Sequence, residues 1–104
     1  MIIVTIDHIP GRNYEVLGVV KGNVVQSKNF GKDFMSAMKG LVGGEIADYT
    51  EMLIEARQIA TGRMVKEAEA MGADAVLNLR YASSSVMQSA AECIAYGTAV
   101  RFVD

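Results

Sequence analysis

The chain has 104 residues, of which 10 are basic and 12 acidic, with one His, one Cys and no Trp. This length fits a single domain spanning residues 1–104 with one core, and an apolar share of 51% is typical of an ordered protein. A net charge of −2 without a basic stripe argues against nucleic acid or an anionic membrane as a partner. A lone cysteine forms no internal disulfide, and no apolar run reaches the ~20 residues of a membrane span, so we expect a cytoplasmic protein.

The first half of the sequence predicts two strands followed by a helix. Residues 2–6 are all β-branched, which indicates a short strand. Residues 14–26 indicate a longer strand, inside which Gly22-Asn23 suggests a β-bulge, with a tight turn as the alternative. From residue 30 to 42 the apolar side chains recur at helical spacing, and Gly43 ends this first predicted helix.

The second predicted helix has the clearest pattern in the chain. Its apolar residues recur at spacings of three and four and form one stripe, namely Tyr49, Met52, Leu53, Ala56, Ile59, Ala60, Met64, Ala68 and Met71. Asp48 is a candidate N-cap, and Gly72 is placed for the left-handed residue that follows a helix. Gly62 lies inside the helix, where glycine is unfavourable, so we predict close approach of another backbone there.

The remaining sequence predicts two more strands, over residues 75–81 and 91–103, with the serine run 83–85 as a loop between them. The element order is therefore β-β-α-α-β-β. This order predicts an α+β subunit whose antiparallel sheet is covered by two helices.

The last predicted strand has two apolar faces. One face is small (Cys93, Ala95, Gly97, Ala99) and the other mostly large (Ile94, Tyr96, Thr98, Val100, Phe102). A sheet covered by helices on one side should present a polar face on the other. Burying each large side chain contributes ~1.5–3 kcal/mol, so we predict that another subunit covers this face permanently.

Metal binding has two candidate residues, His8 and Cys93, the only soft ligands in the chain. A structural zinc or copper site usually takes several such residues at recognisable spacing, and that spacing is missing here. Cys93 fits a small apolar side chain in the core. An oligomer would bring copies of either residue together around an axis, so a metal ion stays open, while no other cofactor is predicted.

Charged side chains supply the other candidates. A ridge on the second predicted helix, formed by Asp48, Glu51 and Glu55, is typical of a solvated helix face, with acid–base chemistry or a hard cation as the alternatives. Arg57 and Lys39 each suit a structural ion pair, with Asp33 or with an acid of a neighbouring subunit. Each is also suited to provide the positive charge of a binding site.

Several short strings carry a resemblance to a known family: Val20-Lys21-Gly22, Asp33-Phe34, Leu41-Val42-Gly43-Gly44, Tyr49, Ala56-Arg57, Gly72-Ala73-Asp74-Ala75 and Gly97-Thr98-Ala99-Val100. Together they resemble the YbjQ family of small bacterial proteins, which carries a heavy-metal-binding label. The resemblance implies an α+β subunit related to the dodecin fold that forms a homopentamer or a pair of pentamers. It also places Asp33, Lys39, Tyr49 and Arg57 near the helix pair as candidate ligand-binding residues.

We therefore predict a non-enzymatic homo-oligomer that binds a small ligand or a metal ion between its subunits. The alternative is a small enzyme whose active site forms between subunits, with Arg57 binding an anion and Glu51 or Glu55 acting as base. A dodecin-like flavin site is not expected, because the chain has no Trp to stack on the ring.

Overall fold

The protein combines one long helix with a four-stranded mixed sheet in the part of the chain that the computed structural model describes, residues 1–27, 47–87 and 90–104. The elements are β1 (Ile2–Ile3), β2 (Tyr14–Ser27), α1 (Ala47–Ala70), β3 (Ala75–Met87) and β4 (Ala90–Phe102). The sheet order is β1-β3-β4-β2. The α+β class is confirmed, and the first predicted helix, 30–42, lies outside the described residues.

The sheet is mixed, so the prediction of a purely antiparallel sheet was wrong. β1 pairs with β3 in parallel, whereas β4 pairs antiparallel with both β2 and β3. A long stretch of chain separates β1 from β3, and such a crossover is what a parallel pair requires. β1 is also shorter than the predicted strand 2–6, although Val4 N–H still donates to the carbonyl of Val76 (3.0 Å).

α1 packs on the sheet through the predicted apolar stripe. Residues four apart are buried, namely Met52, Ala56, Ala60, Met64 and Ala68. Since three of these five are alanines, the helix backbone comes close to the strands beneath it. The helix ends as predicted, because Gly72 has φ +80° and Ala73 N–H donates to the carbonyl of Ala68 (3.0 Å).

Two glycine predictions were wrong. Gly22 pairs regularly with Ala95, and the bulge in β2 lies between Val16 and Gly18 instead. A Cβ on Gly22 would lie 2.3 Å from the carbonyl oxygen of Ala60, so this glycine makes the close approach to the helix that had been assigned to Gly62.

β3 runs straight through the serines that were predicted to form a loop. Ser83, Ser84 and Ser85 pair with Cys93, Glu92 and Ala91 of β4. The prediction was wrong because serine disfavours strands only weakly, and regular pairing with β4 supplies the ladder hydrogen bonds on one edge of this segment.

The sheet has apolar clusters on both faces. On the helix side, Val20, Val24, Val76 and Cys93 pack beneath α1. On the opposite side, a smaller cluster contains Ala75, Leu77 and Val100, together with Val4, Ile9, Tyr14 and Phe102. The segment between β1 and β2 thus covers one end of the second face, a cover that the sequence analysis did not anticipate.

The rest of that second face is open within the described residues. We call it the open face and define it by Val16, Val19, Val25, Ile94 and Tyr96. Val19 is 71% exposed, Val16 66% and Val25 57%. Lys21 and Glu92 also point to this side by strand alternation, so the open face is apolar with charged residues interspersed.

Candidate functional site: a groove between the helix and strand β3

A groove of about 570 Å³ runs between α1 and β3, lined by Ile54, Arg57, Gln58, Thr61, Gly62 and Tyr81. It exists because α1 lies mainly over β2 and β4 and hardly touches β3. Tyr81 pairs with Ala95, a core residue on the helix side of the sheet. Tyr81 therefore faces α1 and forms the wall of the groove opposite the helix.

Arg57 is the charged residue of the groove and is half-buried. The chain has five arginines, and the other four have partners within the chain. Arg12 binds Asp104 and Arg101 binds Glu15. Arg63 donates to the carbonyl of Asn23, and Arg80 donates to the carbonyl of Thr5. Among the described residues, the Arg57 guanidinium has no hydrogen-bond or ion-pair partner. Within that described part of the chain, the groove therefore contains an unpaired positive charge.

Two hydroxyl groups line the same groove. Thr61 Oγ1 donates to the carbonyl of Arg57 (2.7 Å) and lies 2.7 Å from the hydroxyl of Tyr81. A hydroxyl has only one proton to donate. Since Thr61 gives its proton to Arg57, Tyr81 must donate to Thr61, which leaves the phenolic oxygen as an acceptor facing the groove.

A second hollow of about 410 Å³ adjoins the groove and is lined by Glu51, Ile54, Glu55 and Gln58. It shares Ile54 and Gln58 with the groove. Both carboxylates belong to exposed residues, as expected for a solvated helix face. The third predicted member of this ridge, Asp48, has a side chain outside the described part of the structure.

The two predicted metal ligands lie in different environments. His8 is exposed, and its Nδ1 lies 2.9 Å from Asp7 Oδ1; this hydrogen bond holds the pKa of the Asp7 carboxyl below its ordinary value of 3.8. Cys93 is a free thiol, 2% exposed, in the core beneath α1, which confirms its prediction as a core residue. Across residues 1–27, 47–87 and 90–104, no group of three or more His, Cys, Asp or Glu is arranged to hold a metal ion.

The predicted ligand-binding residues are only partly described. Asp33 and Lys39 lie outside the described residues, and Tyr49 lies in the first turn of α1 with a side chain that is likewise outside them. Arg57 is therefore the member of this set whose surroundings are visible. Thr61 was missed, although its position four residues after Arg57 places it on the same helix face. Tyr81 was missed because no spacing in the sequence indicates that it faces α1.

Comparison with known proteins matches nearly the whole chain. A YbjQ family model described as "Putative heavy-metal-binding" matches residues 1–103. A UPF0145 protein from Clostridium novyi (strain NT) is 58% identical over 103 residues, covering 99% of this chain and all of that one. A UPF0145 protein from Thermotoga petrophila is 62% identical over 102 residues, covering 97% and 96% of the two chains.

A solved structure also shares the fold. It is a protein of unknown function from Pediococcus pentosaceus, of the DUF74 family, with a TM-score of 0.66 and 18% identity over 99% of this chain and 98% of that one. In the described part of this chain, no helix is long and apolar enough to cross a membrane.

Proposed function

The chain belongs to the YbjQ family, and we propose that it is a non-enzymatic homo-oligomer, a homopentamer or a pair of pentamers, that binds a small ligand between its subunits. The family description names heavy-metal binding and no reaction. We also propose that the protein works in the cytoplasm, which fits a chain whose single cysteine is a free, buried thiol.

The open face is the observation that carries the oligomer. Valines exposed by 57 to 71% are a poor surface for a monomer in water, and burying each would contribute about 1.5–3 kcal/mol. The elongated shape supports the same proposal, since the Cα radius of gyration is 17.2 Å, compared with about 13 Å for a compact chain of this length. A second copy on the open face would bury the apolar surface that this shape exposes.

Native mass spectrometry of the untagged protein tests the proposal. The wild-type protein should appear as five or ten times the 11.2 kDa chain. Val19→Asp places a charge in the open face and should shift the population to smaller species. Val103→Asp is the matched control, since Val103 is 55% exposed but lies beyond the end of β4, and it should leave the assembly intact. A wild-type monomer at micromolar concentration would contradict the proposal.

A small enzyme is the second candidate, favoured by the two adjoining hollows. They bring Arg57 and the acids Glu51 and Glu55 to neighbouring positions on one helix, so an anionic substrate held by Arg57 would lie next to a base. A screen of carboxylic and phosphate esters tests this candidate. Turnover that disappears in Glu51→Gln or Glu55→Gln would favour the enzyme over the binding protein.

Metal binding is the third candidate, supported by the family description and by the exposed His8 beside Asp7. In an oligomer, imidazoles from several subunits would have to meet around one axis to complete a site. Metal analysis of the purified protein tests this, with His8→Ala as the decisive variant. Cys93→Ser is the comparison, because a buried core thiol should have no effect on metal content.

A further inference from the structure

We propose that the groove between α1 and β3 binds a small organic anion, a carboxylate or a phosphate, that also carries a hydroxyl or N–H donor. This inference rests on the proposed ligand-binding function and names the chemistry of its ligand. It uses residues that neither the family description nor the resemblance assigns, chiefly Thr61, Gly62 and Tyr81.

Arg57 provides the charge for the anion. A guanidinium presents a planar set of donors that matches a carboxylate or phosphate in a bidentate pair. The other four arginines already use these donors within the chain. Arg57 is half-buried and has no such partner within the described residues, so an anion entering the groove would complete its hydrogen bonding.

Tyr81 selects for a donor on the same ligand. Its proton is directed to Thr61 Oγ1, because Thr61 donates to the carbonyl of Arg57. The Tyr81 oxygen can therefore only accept from a ligand. An anion with a neighbouring hydroxyl, such as a 2-hydroxy acid, satisfies Arg57 and Tyr81 together, whereas a simple carboxylate satisfies Arg57 alone.

Gly62 makes room for the body of the ligand. Glycine is unfavourable inside a helix, and a Cβ at this position would meet no atom within 4 Å. Packing within the described residues therefore gives no reason for a glycine here, although Gly62 lines the groove. The missing side chain widens the groove beside Thr61, where a ligand held by Arg57 and Tyr81 would lie.

Glu51 and Glu55 limit the size and charge of the ligand. They line the adjoining hollow, so a long or multiply charged anion would bring negative charge towards two carboxylates. The favoured ligand is compact and has one anionic group.

Ligand-observed NMR with four probes tests the proposal: glycolate and acetate for the carboxylate source, glycerol 3-phosphate and methyl phosphate for the phosphate source. We expect the hydroxyl-bearing member of at least one pair to bind about fivefold or more tighter, as one additional hydrogen bond allows. The tighter pair identifies the source of the anion.

Three variants assign the binding to the groove. Arg57→Gln should weaken every probe about tenfold or more through loss of a charged hydrogen bond, with Arg57→Lys intermediate. Tyr81→Phe should remove the preference for the hydroxyl-bearing probe. Arg63→Gln is the matched control, because Arg63 lies on the same helix but binds the Asn23 carbonyl outside the groove, and its affinities should equal those of the wild type.

Two results would overturn the proposal: no saturable binding of any probe, and binding that is unchanged by Arg57→Gln. If no probe binds and the subunit number falls in Arg57→Gln, the groove is an interface between copies. A monomeric wild-type protein that still binds glycolate through Arg57 would contradict the proposed oligomer and leave the groove assignment standing.

Discussion

Gly22 and Gly62 show how differently two glycines serve one helix. A Cβ on Gly22 would meet the backbone of Ala60 and Met64 at 2.3 Å, because β2 passes directly beneath α1 at this point. A Cβ on Gly62 would meet no atom of the described residues within 4 Å. The first glycine permits helix–sheet contact, whereas the second shapes the wall of the groove.

Alanine at these two positions should therefore have opposite effects. Gly22→Ala should lower the free energy of unfolding by about 2 kcal/mol or more, because backbone atoms of α1 must move away. Gly62→Ala should raise it by up to about 1 kcal/mol through helix propensity. Urea unfolding followed by circular dichroism, at one fixed protein concentration, measures both. A neutral Gly22→Ala would contradict the close packing of β2 under α1.

Asp104 connects the end of the chain to the segment before β2. Its carboxylate accepts hydrogen bonds from Arg12 Nε (3.1 Å) and from Asn13 N–H (3.0 Å). The Arg12 hydrogen bond, followed by that from Asn13, holds the pKa of the Asp104 carboxyl below its ordinary value of 3.8. The guanidinium of Arg12 also stacks on the Phe102 ring, 3.7 Å from its centre.

This depressed pKa predicts a pH dependence of stability. The folded state binds the Asp104 proton less readily than the unfolded state, so its contribution is fully present above pH 3.8 and is lost as the pH falls below that value. Asp104→Asn should therefore destabilise the protein at pH 6 and have little effect near pH 2.5. Thermal unfolding of both proteins at the two pH values tests this, and an equal effect at both would refute it.

At the scale of elements, α1 is held by a stripe with a period of four residues, and β3 by pairing with β4. Met64 is fully buried in the stripe, whereas Met71, just past the end of α1, is 39% exposed. The serines of β3 lack apolar side chains but keep a regular register with β4. The helix is thus stabilised by side-chain burial and the outer half of β3 by backbone pairing.

Truncating the stripe should loosen α1 from the sheet. Met64→Ala should cost about 2–5 kcal/mol of unfolding free energy, the range for large-to-small changes in a core. Met71→Ala is the control and should cost much less, since Met71 is already partly in solvent. Denaturant unfolding with a helix-sensitive signal gives both values. Similar losses for the two variants would mean that α1 is not held mainly by this stripe.

At the scale of the whole molecule, a thin sheet carries apolar residues on two faces. The helix covers one face, and the segment containing Val4 and Ile9 covers one end of the other. The strands of 13 and 14 residues make the molecule 56 Å long but only 17 Å thick. The described residues leave the valines of the open face exposed, which is why we propose that contacts between copies contribute to stability.

Stability that comes from association depends on protein concentration. If the open face is buried between subunits, the thermal midpoint of the wild-type protein should rise when the protein is concentrated from micromolar to hundreds of micromolar. Val19→Asp should have a lower midpoint that changes less with concentration. Differential scanning calorimetry over this range checks both, and a wild-type midpoint independent of concentration would contradict the assembly.

The elements that have a local signal could be predicted from the amino-acid sequence. The apolar residues of the stripe from Met52 to Ala68 recur every four residues, and this periodicity predicted the buried face of α1 correctly. Gly72 was predicted correctly because the left-handed residue after a helix is favourable for glycine whatever the rest of the fold. The α+β class and the buried state of Cys93 followed from the same kind of pattern. From the residues alone, Arg57 suited a structural ion pair or the cation of a binding site, and the family resemblance made it a candidate ligand-binding residue.

Features that depend on contacts between distant residues became visible in the three-dimensional structure. β1 pairs with β3 more than 70 residues away, Gly22 passes beneath Ala60, and Tyr81 reaches Thr61 across the groove. Strand pairing and helix docking are interactions between distant segments, and the periodicity of one segment shows which of its faces is buried but does not specify the segment that covers it. For this reason the sequence indicated the charge of the candidate site, while the structure supplied its hydroxyl groups and its shape.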